Sequence, residues 1–175
     1  DTALLIIHDF YNSYNDLELG KDPYPTSLRI INMIKFISFN DINDKKINDL
    51  LKEDSERLYH NLEYHIMGNH LLENAFALFF SSFYFDETKY FSRSKKILTN
   101  EINEQILNDG AHFELSPMYH SIILYRILDC ICLLKMNNSS DNNMYLLLRR
   151  VAKKMISWIN SISLDTKKIP LINDS

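Results

Sequence analysis

The chain has 175 residues, 46% hydrophobic and 24% charged, a balance that excludes a disordered polypeptide and suits one globular domain with a sizeable core. A formal net charge of -4 gives no electrostatic case for nucleic acid, because a phosphate-binding surface concentrates Lys and Arg. Pairs such as Lys95-Lys96, Arg149-Arg150 and Lys153-Lys154 read as solvated helix faces.

Three glycines and four prolines argue for long helices. The spacing predicts a first helix at about 2–15, then a loop from Leu19 through Pro25. Thr26 or Ser27 can cap the next helix, in which Leu28, Ile31, Ile34 and Ile37 recur every three to four residues. A third helix is predicted over about 44–66 and a fourth over about 70–85, where Leu72, Ala75, Phe76, Phe79, Phe80 and Phe83 make a wide apolar face. A fifth runs from beyond Asp86-Glu87 to Leu107, with a break near Phe91-Ser92. Ser116 caps a sixth with Pro117 at its first position, where a missing N–H costs nothing, and this helix ends near Met136. The seventh covers about 141–162. Short loops between helices of this length imply antiparallel hairpins: a bundle, a solenoid or a closed toroid of helix pairs, all-α in each case. The absence of a clean repeat near 34 residues lowers the solenoid.

Cys130 and Cys132, two apart on one helix, point about 200° away from each other, so both read as buried thiols rather than a disulfide. No signal peptide is visible, and no apolar run reaches the roughly eighteen residues needed to span a bilayer. Both ends read as cut. Asp1 stands directly before Ala3–Ile7 without an initiating Met, and the chain stops within Ile169–Ser175 as a new segment begins.

Two polar clusters interrupt the helices. In Gly68–Asn74, a helix continuing through Gly68 would align His65, Asn69 and Glu73 at i, i+4, i+8 as one polar line. A Gly68 that ends the third helix in a left-handed turn would instead make Asn69 the cap of the fourth, near free N–H groups that favour an anion. A plain helix boundary with a surface His70 is the third reading. In the second cluster, Asp109-Gly110 is a turn, and His112, Glu114, Tyr119 and His120 follow within nine residues. Tyr119 falls in the first turn of the sixth helix, where the helix field could ease formation of a tyrosinate. His112, Glu114 and His120 could ligate zinc, but neither an H-x-x-x-H nor a CxxC spacing is present. No Gly-rich phosphate loop and no nucleophile elbow at Ser116 are found. No metal or cofactor is expected.

The stretches Arg57–Asn74 and Glu104–His120 together resemble the helical domain of the heparinase II/III family, with Tyr24–Arg29 similar to its upstream segment and Ile169–Ser175 to its downstream loop. The likeness implies part of an (α/α) toroid over residues 1–175, normally followed by a β-sandwich domain, in enzymes that cleave uronate polysaccharides by β-elimination. It assigns Asn69, of the Gly-Asn-His motif, as the residue that neutralises the uronate carboxylate, and Tyr119, of Ser-Pro-x-Tyr-His, as the proton-transfer residue. His65, His70, Glu73, His112, Glu114, His120 and Arg29 take supporting or substrate-binding places. Ala111 departs from the second Gly frequent in the family, and a catalytic His from the downstream domain has no counterpart.

The implied partner is an acidic polysaccharide, without nucleic acid or a membrane span, and the implied compartment is periplasmic or extracellular. The fragment alone is expected to be weakly active or inactive and to dimerise through apolar surfaces that truncation exposes. Two competitors stay open. A toroid glycoside hydrolase would use Glu73 and Glu114 as its carboxyl pair. A helical glycan-binding or assembly module would use the same groove without catalysis.

Overall fold

The computed structural model describes residues 2–16, 19–66, 68–163 and 168–173. Its helices are α1 (Thr2–Ser13, followed by a single 3-10 turn, Tyr14–Asp16), α2 (Pro23–Phe39), α3 (Lys45–His60), α4 (His70–Tyr84), α5 (Thr88–Gln105), α6 (Pro117–Met136) and α7 (Asn142–Ile162). They form antiparallel hairpins in an (α/α) toroid-like arrangement, and among the described residues there is no strand, only an isolated bridge between Ile106 and His112. Every residue of α4 from Leu71 to Ser82 is buried, because this helix packs against α2, α3, α5 and α6.

Several boundaries differ from the sequence reading. The second helix starts at Pro23, after Asp22, so Thr26 and Ser27 lie inside it rather than capping it. Both prolines there fall in the first turn, whose N–H groups have no intrahelical acceptor to lose. Ser27 turns its hydroxyl back to the Pro23 carbonyl (2.8 Å). The third helix stops at His60, where the Asn61 N–H closes onto the Leu58 carbonyl (3.1 Å). The fifth is unbroken through Phe91-Ser92 and ends at Gln105, two residues before Leu107, because Ile106 enters the bridge. Cys130 is buried as expected, but Cys132 is exposed on the outer side of α6.

Contrary to the sequence reading that no apolar run reaches spanning length, α6 is long and apolar enough to cross a bilayer by length and composition. Here it packs against α4 and α7, and two of its charges pair with neighbours: Asp129 with Lys35 of α2 (2.6 Å) and Arg126 with Glu73 of α4. The second pair is the deeper. Glu73 is fully buried, and the Arg126 Nε–H reaches both carboxylate oxygens, at 3.4 and 3.2 Å. Burial pushes the Glu73 carboxyl above the ordinary carboxylate range, while the guanidinium pulls it back.

The connection between α5 and α6 is fastened at both sides. Leu107 N–H donates to Ala111 O (2.9 Å) and Phe113 N–H to Gln105 O (2.8 Å). Gly110, at φ +98°, lies against the Lys154 carbonyl of α7 too closely for any Cβ. Gln105 donates through Nε2 to Gly68 O (2.9 Å) and Glu101 (3.0 Å), so its Oε1 accepts from His112 Nε2–H (3.1 Å). His120 Nε2–H donates to the Met155 carbonyl (3.0 Å), and its ring packs on Trp158 at 4.6 Å between centroids. Each histidine is thereby the Nε2–H tautomer, with a buried Nδ1 that has no hydrogen-bond partner among the described residues. Burial, and then the neighbouring His120, pushes His112 down to about 4; burial lowers His120 as well.

Two outcomes follow. A histidine held neutral in the fold takes up a proton only in the unfolded chain between its unfolded value near 6.5 and about 4. Stability is therefore full above pH 6.5 and falls as pH drops toward 4, by up to about 3 kcal/mol from His112. Urea denaturation across this range should show the decline, and His112→Gln should reduce it, leaving the part that His120 contributes. Arg126→Met should cost about 3–5 kcal/mol by stranding Glu73, whereas the double variant Glu73→Met/Arg126→Met should regain most of the loss.

Candidate active site

The site grows from the α3–α4 connection. Once α3 stops at His60, the chain is tied to α4 through Asn74, whose Oδ1 accepts from Glu63 N (3.0 Å) and whose Nδ2 donates to Glu63 Oε2 (2.9 Å) and Ser27 Oγ (3.1 Å). Glu63, buried by this arrangement, also meets His70 Nδ1 at 3.3 Å. Gly68 then turns the backbone left-handed (φ +87°), and a Cβ there would stand 2.7 Å from Glu114 Oε1. Gly68 is thus where the two polar clusters touch, with Glu114 packed on one side and Gln105 bonded to its carbonyl.

Asn69 follows at the start of α4, 6% exposed. It stands at the N-cap position of α4, as one of the readings from sequence has it, but its backbone is already helical (φ -80°, ψ -3°) and its side chain makes no capping hydrogen bond. The amide Nδ2 is buried and has no hydrogen-bond partner among the described residues. The alternative polar line of His65, Asn69 and Glu73 does not form either: His65 lies in the loop beyond α3 and is exposed.

Tyr119 is half-buried in the first turn of α6, where Ser116 Oγ caps by accepting from Tyr119 N (3.3 Å) and Pro117 opens the helix as anticipated. Tyr24, the second residue of α2, joins the two clusters. Its phenol lies beside the Asn69 amide and within electrostatic range of Glu73, Tyr119 and Arg126, and its ring packs on His70 at 4.4 Å. The Asn69 amide favours ionisation of that phenol without reaching hydrogen-bond alignment. Burial foremost, and then the Glu73 carboxylate, raise its pKa. Tyr24 and His70 also line a groove of about 760 Å³ with Pro25, His60 and His65.

The structure therefore gathers Asn69, Tyr119, His70 and Glu73 around Tyr24. His112 and His120 serve the backbone around the site through Gln105 and Met155. Arg29 is committed elsewhere: Asp54 (2.8 and 3.0 Å), Gly20 O, Tyr14 and Thr26 take its donors, and none of these bonds goes to Asn69, Tyr24 or Tyr119. Tyr24 and Arg126 were not singled out from sequence as site residues. Arg126 carried one usable signal, a cation inside the apolar run from Ile122 to Leu134. Among the described residues no three His, Cys, Asp or Glu side chains converge as a metal site would require. Chemically, the site offers an uncharged buried amide near the Tyr24 phenol, with Tyr119 within electrostatic range of that phenol.

Residues 24–175 match the family described as Heparinase II/III N-terminus. A heparin-sulfate lyase of Bacteroides stercoris is 39% identical over 72 residues, which cover 35% of this chain and 11% of that protein. Two solved structures share the fold: Heparinase III, at TM-score 0.74 and 19% identity over 96% of this chain and 29% of the other, and a mutant of the heparan sulfate lyase HepC from Pedobacter heparinus, at 0.69 and 21% over 94% and 28%. The chain thus spans under a third of the length of each of these relatives. With a match over nearly its whole length and the helical fold shared, the chain belongs to the heparinase II/III family, of which it carries the N-terminal helical domain.

Proposed function

We propose that this domain supplies the carboxylate-binding and proton-transfer groups of a polysaccharide lyase that cleaves a uronate-containing glycan of the heparan sulfate kind by β-elimination. The observation that carries the reading is Asn69: a buried amide whose Nδ2 has no hydrogen-bond partner among the described residues, near a Tyr24 phenol that also feels Tyr119 electrostatically. Leaving such a donor unpaired costs about 1–3 kcal/mol, a cost that a bound carboxylate removes.

The chemistry needs both residues. The C5 proton of a uronate is weakly acidic, and its removal places negative charge on the adjacent carboxylate. An amide donor aimed there stabilises the enolate without a metal. Tyr119, once deprotonated, takes the C5 proton; the C–H electron pair forms the C4–C5 double bond as the C4–O bond breaks, and the leaving oxygen receives a proton from the same or another residue. His70 and the groove beside it would hold neighbouring sugars, with His65 at its edge. A downstream β-sandwich domain with a further His would complete the site, and a periplasmic or extracellular compartment would fit the substrate. Hydrolysis is less well served, because Glu73, half of the carboxyl pair it requires, is buried and held by Arg126.

The test is ultraviolet detection of unsaturated uronate when the full-length protein is incubated with heparan sulfate. Tyr119→Phe should lower kcat about 10²- to 10⁴-fold and Asn69→Ala about 10²- to 10³-fold. Saturated products would favour the hydrolase. Tight binding without cleavage would favour a glycan-binding module, and an unaltered rate for Tyr119→Phe would remove Tyr119 from the mechanism.

A further inference from the structure

Tyr24 is tied to this cleft by three separate features. Its ring is fixed on His70 at 4.4 Å, and His70 is itself held by the buried Glu63. Its phenol shares the neighbourhood of the Asn69 amide and of Tyr119, although it comes from a different helix than either. The same ring lines the groove of about 760 Å³ that passes His60 and His65. A carboxylate has two oxygens and about four acceptor positions, and one amide nitrogen cannot satisfy both oxygens.

We propose that Tyr24 is a third substrate-binding group of the uronate site: its O–H donates to the substrate carboxylate alongside Asn69, while its ring, braced by His70, forms the wall against which the adjoining sugar lies. This rests on the lyase reading above. The two phenols then divide the work. Tyr24, whose pKa is raised by burial and by Glu73, remains a donor at neutral pH, and proton transfer is left to Tyr119.

The experiment uses the full-length protein, with Tyr24→Phe to remove the hydroxyl but keep the ring on His70, and Tyr24→Leu to remove both. With heparan sulfate, Tyr24→Phe should lower kcat/KM about ten- to a hundredfold, as expected for losing a hydrogen bond to a charged group. Binding is measured by calorimetry in the Tyr119→Phe background with two probes, heparan sulfate and the same polysaccharide with its carboxyls reduced to alcohols. Tyr24→Phe should weaken binding of the first and leave the second unchanged, whereas Tyr24→Leu should weaken both. A purely structural ring would give a silent Tyr24→Phe in both assays and overturns the proposal, as does equal weakening toward both probes. If the wild type yields no unsaturated product, the lyase reading fails by itself, and the calorimetric comparison still decides whether Tyr24 recognises a carboxylate.

Discussion

The buried ion pair between Glu73 and Arg126 is the constraint on which the site depends. Glu73 lies one helical turn after Asn69 on α4, and Arg126 two turns after Tyr119 on α6, so each charged residue shares a helix face with a candidate catalytic one. Joining the charges fixes the seam between the two helices, and with it the relative place of the amide and the phenol. A buried pair of this kind adds little net stability over an apolar contact, but it tolerates no loss of one partner. Its contribution is therefore register: it fixes how α4 and α6 meet.

Around that seam the polar groups fall into two sets. Glu63, Asn74, Ser27, Gln105, His112 and His120 are engaged with backbone or with one another, and they hold the two loops that deliver the site. Asn69 differs from these in having a buried donor, Nδ2, with no hydrogen-bond partner among the described residues. Preorganised donors that are unsatisfied before binding incur no reorganisation when charge develops on a substrate, which is what stabilising an enolate demands. Gly68 and Gly110 serve the same end by letting backbone approach Glu114 and α7 where a side chain could not fit.

Local signals in the sequence carried the helices and their caps. Ser116-Pro117 opens α6 as its residue types require, and Gly68 takes the left-handed turn anticipated for it. Where two local signals competed, the reading erred: Pro23 began α2 ahead of Thr26, and the third helix, expected to reach about 66, stops at His60. Long-range partnership was not legible. Nothing near Arg29 reveals Asp54, nothing near Glu73 reveals Arg126, and Tyr24 is a loop tyrosine until folding sets it against His70 and Asn69. Asn69 and Tyr119 are assigned only through the likeness of short motifs to a known family; the fold sets them at the starts of α4 and α6, two helices that pack together.

The most direct test of the central claim, that Asn69 awaits a carboxylate, is a crystal structure of the full-length Tyr119→Phe variant with a heparan sulfate oligosaccharide bound. The expected result is a uronate carboxylate oxygen about 3 Å from Asn69 Nδ2, with the C5 of that sugar facing position 119. An oligosaccharide bound with its carboxylates elsewhere, and the Asn69 amide still without a partner, would contradict the account.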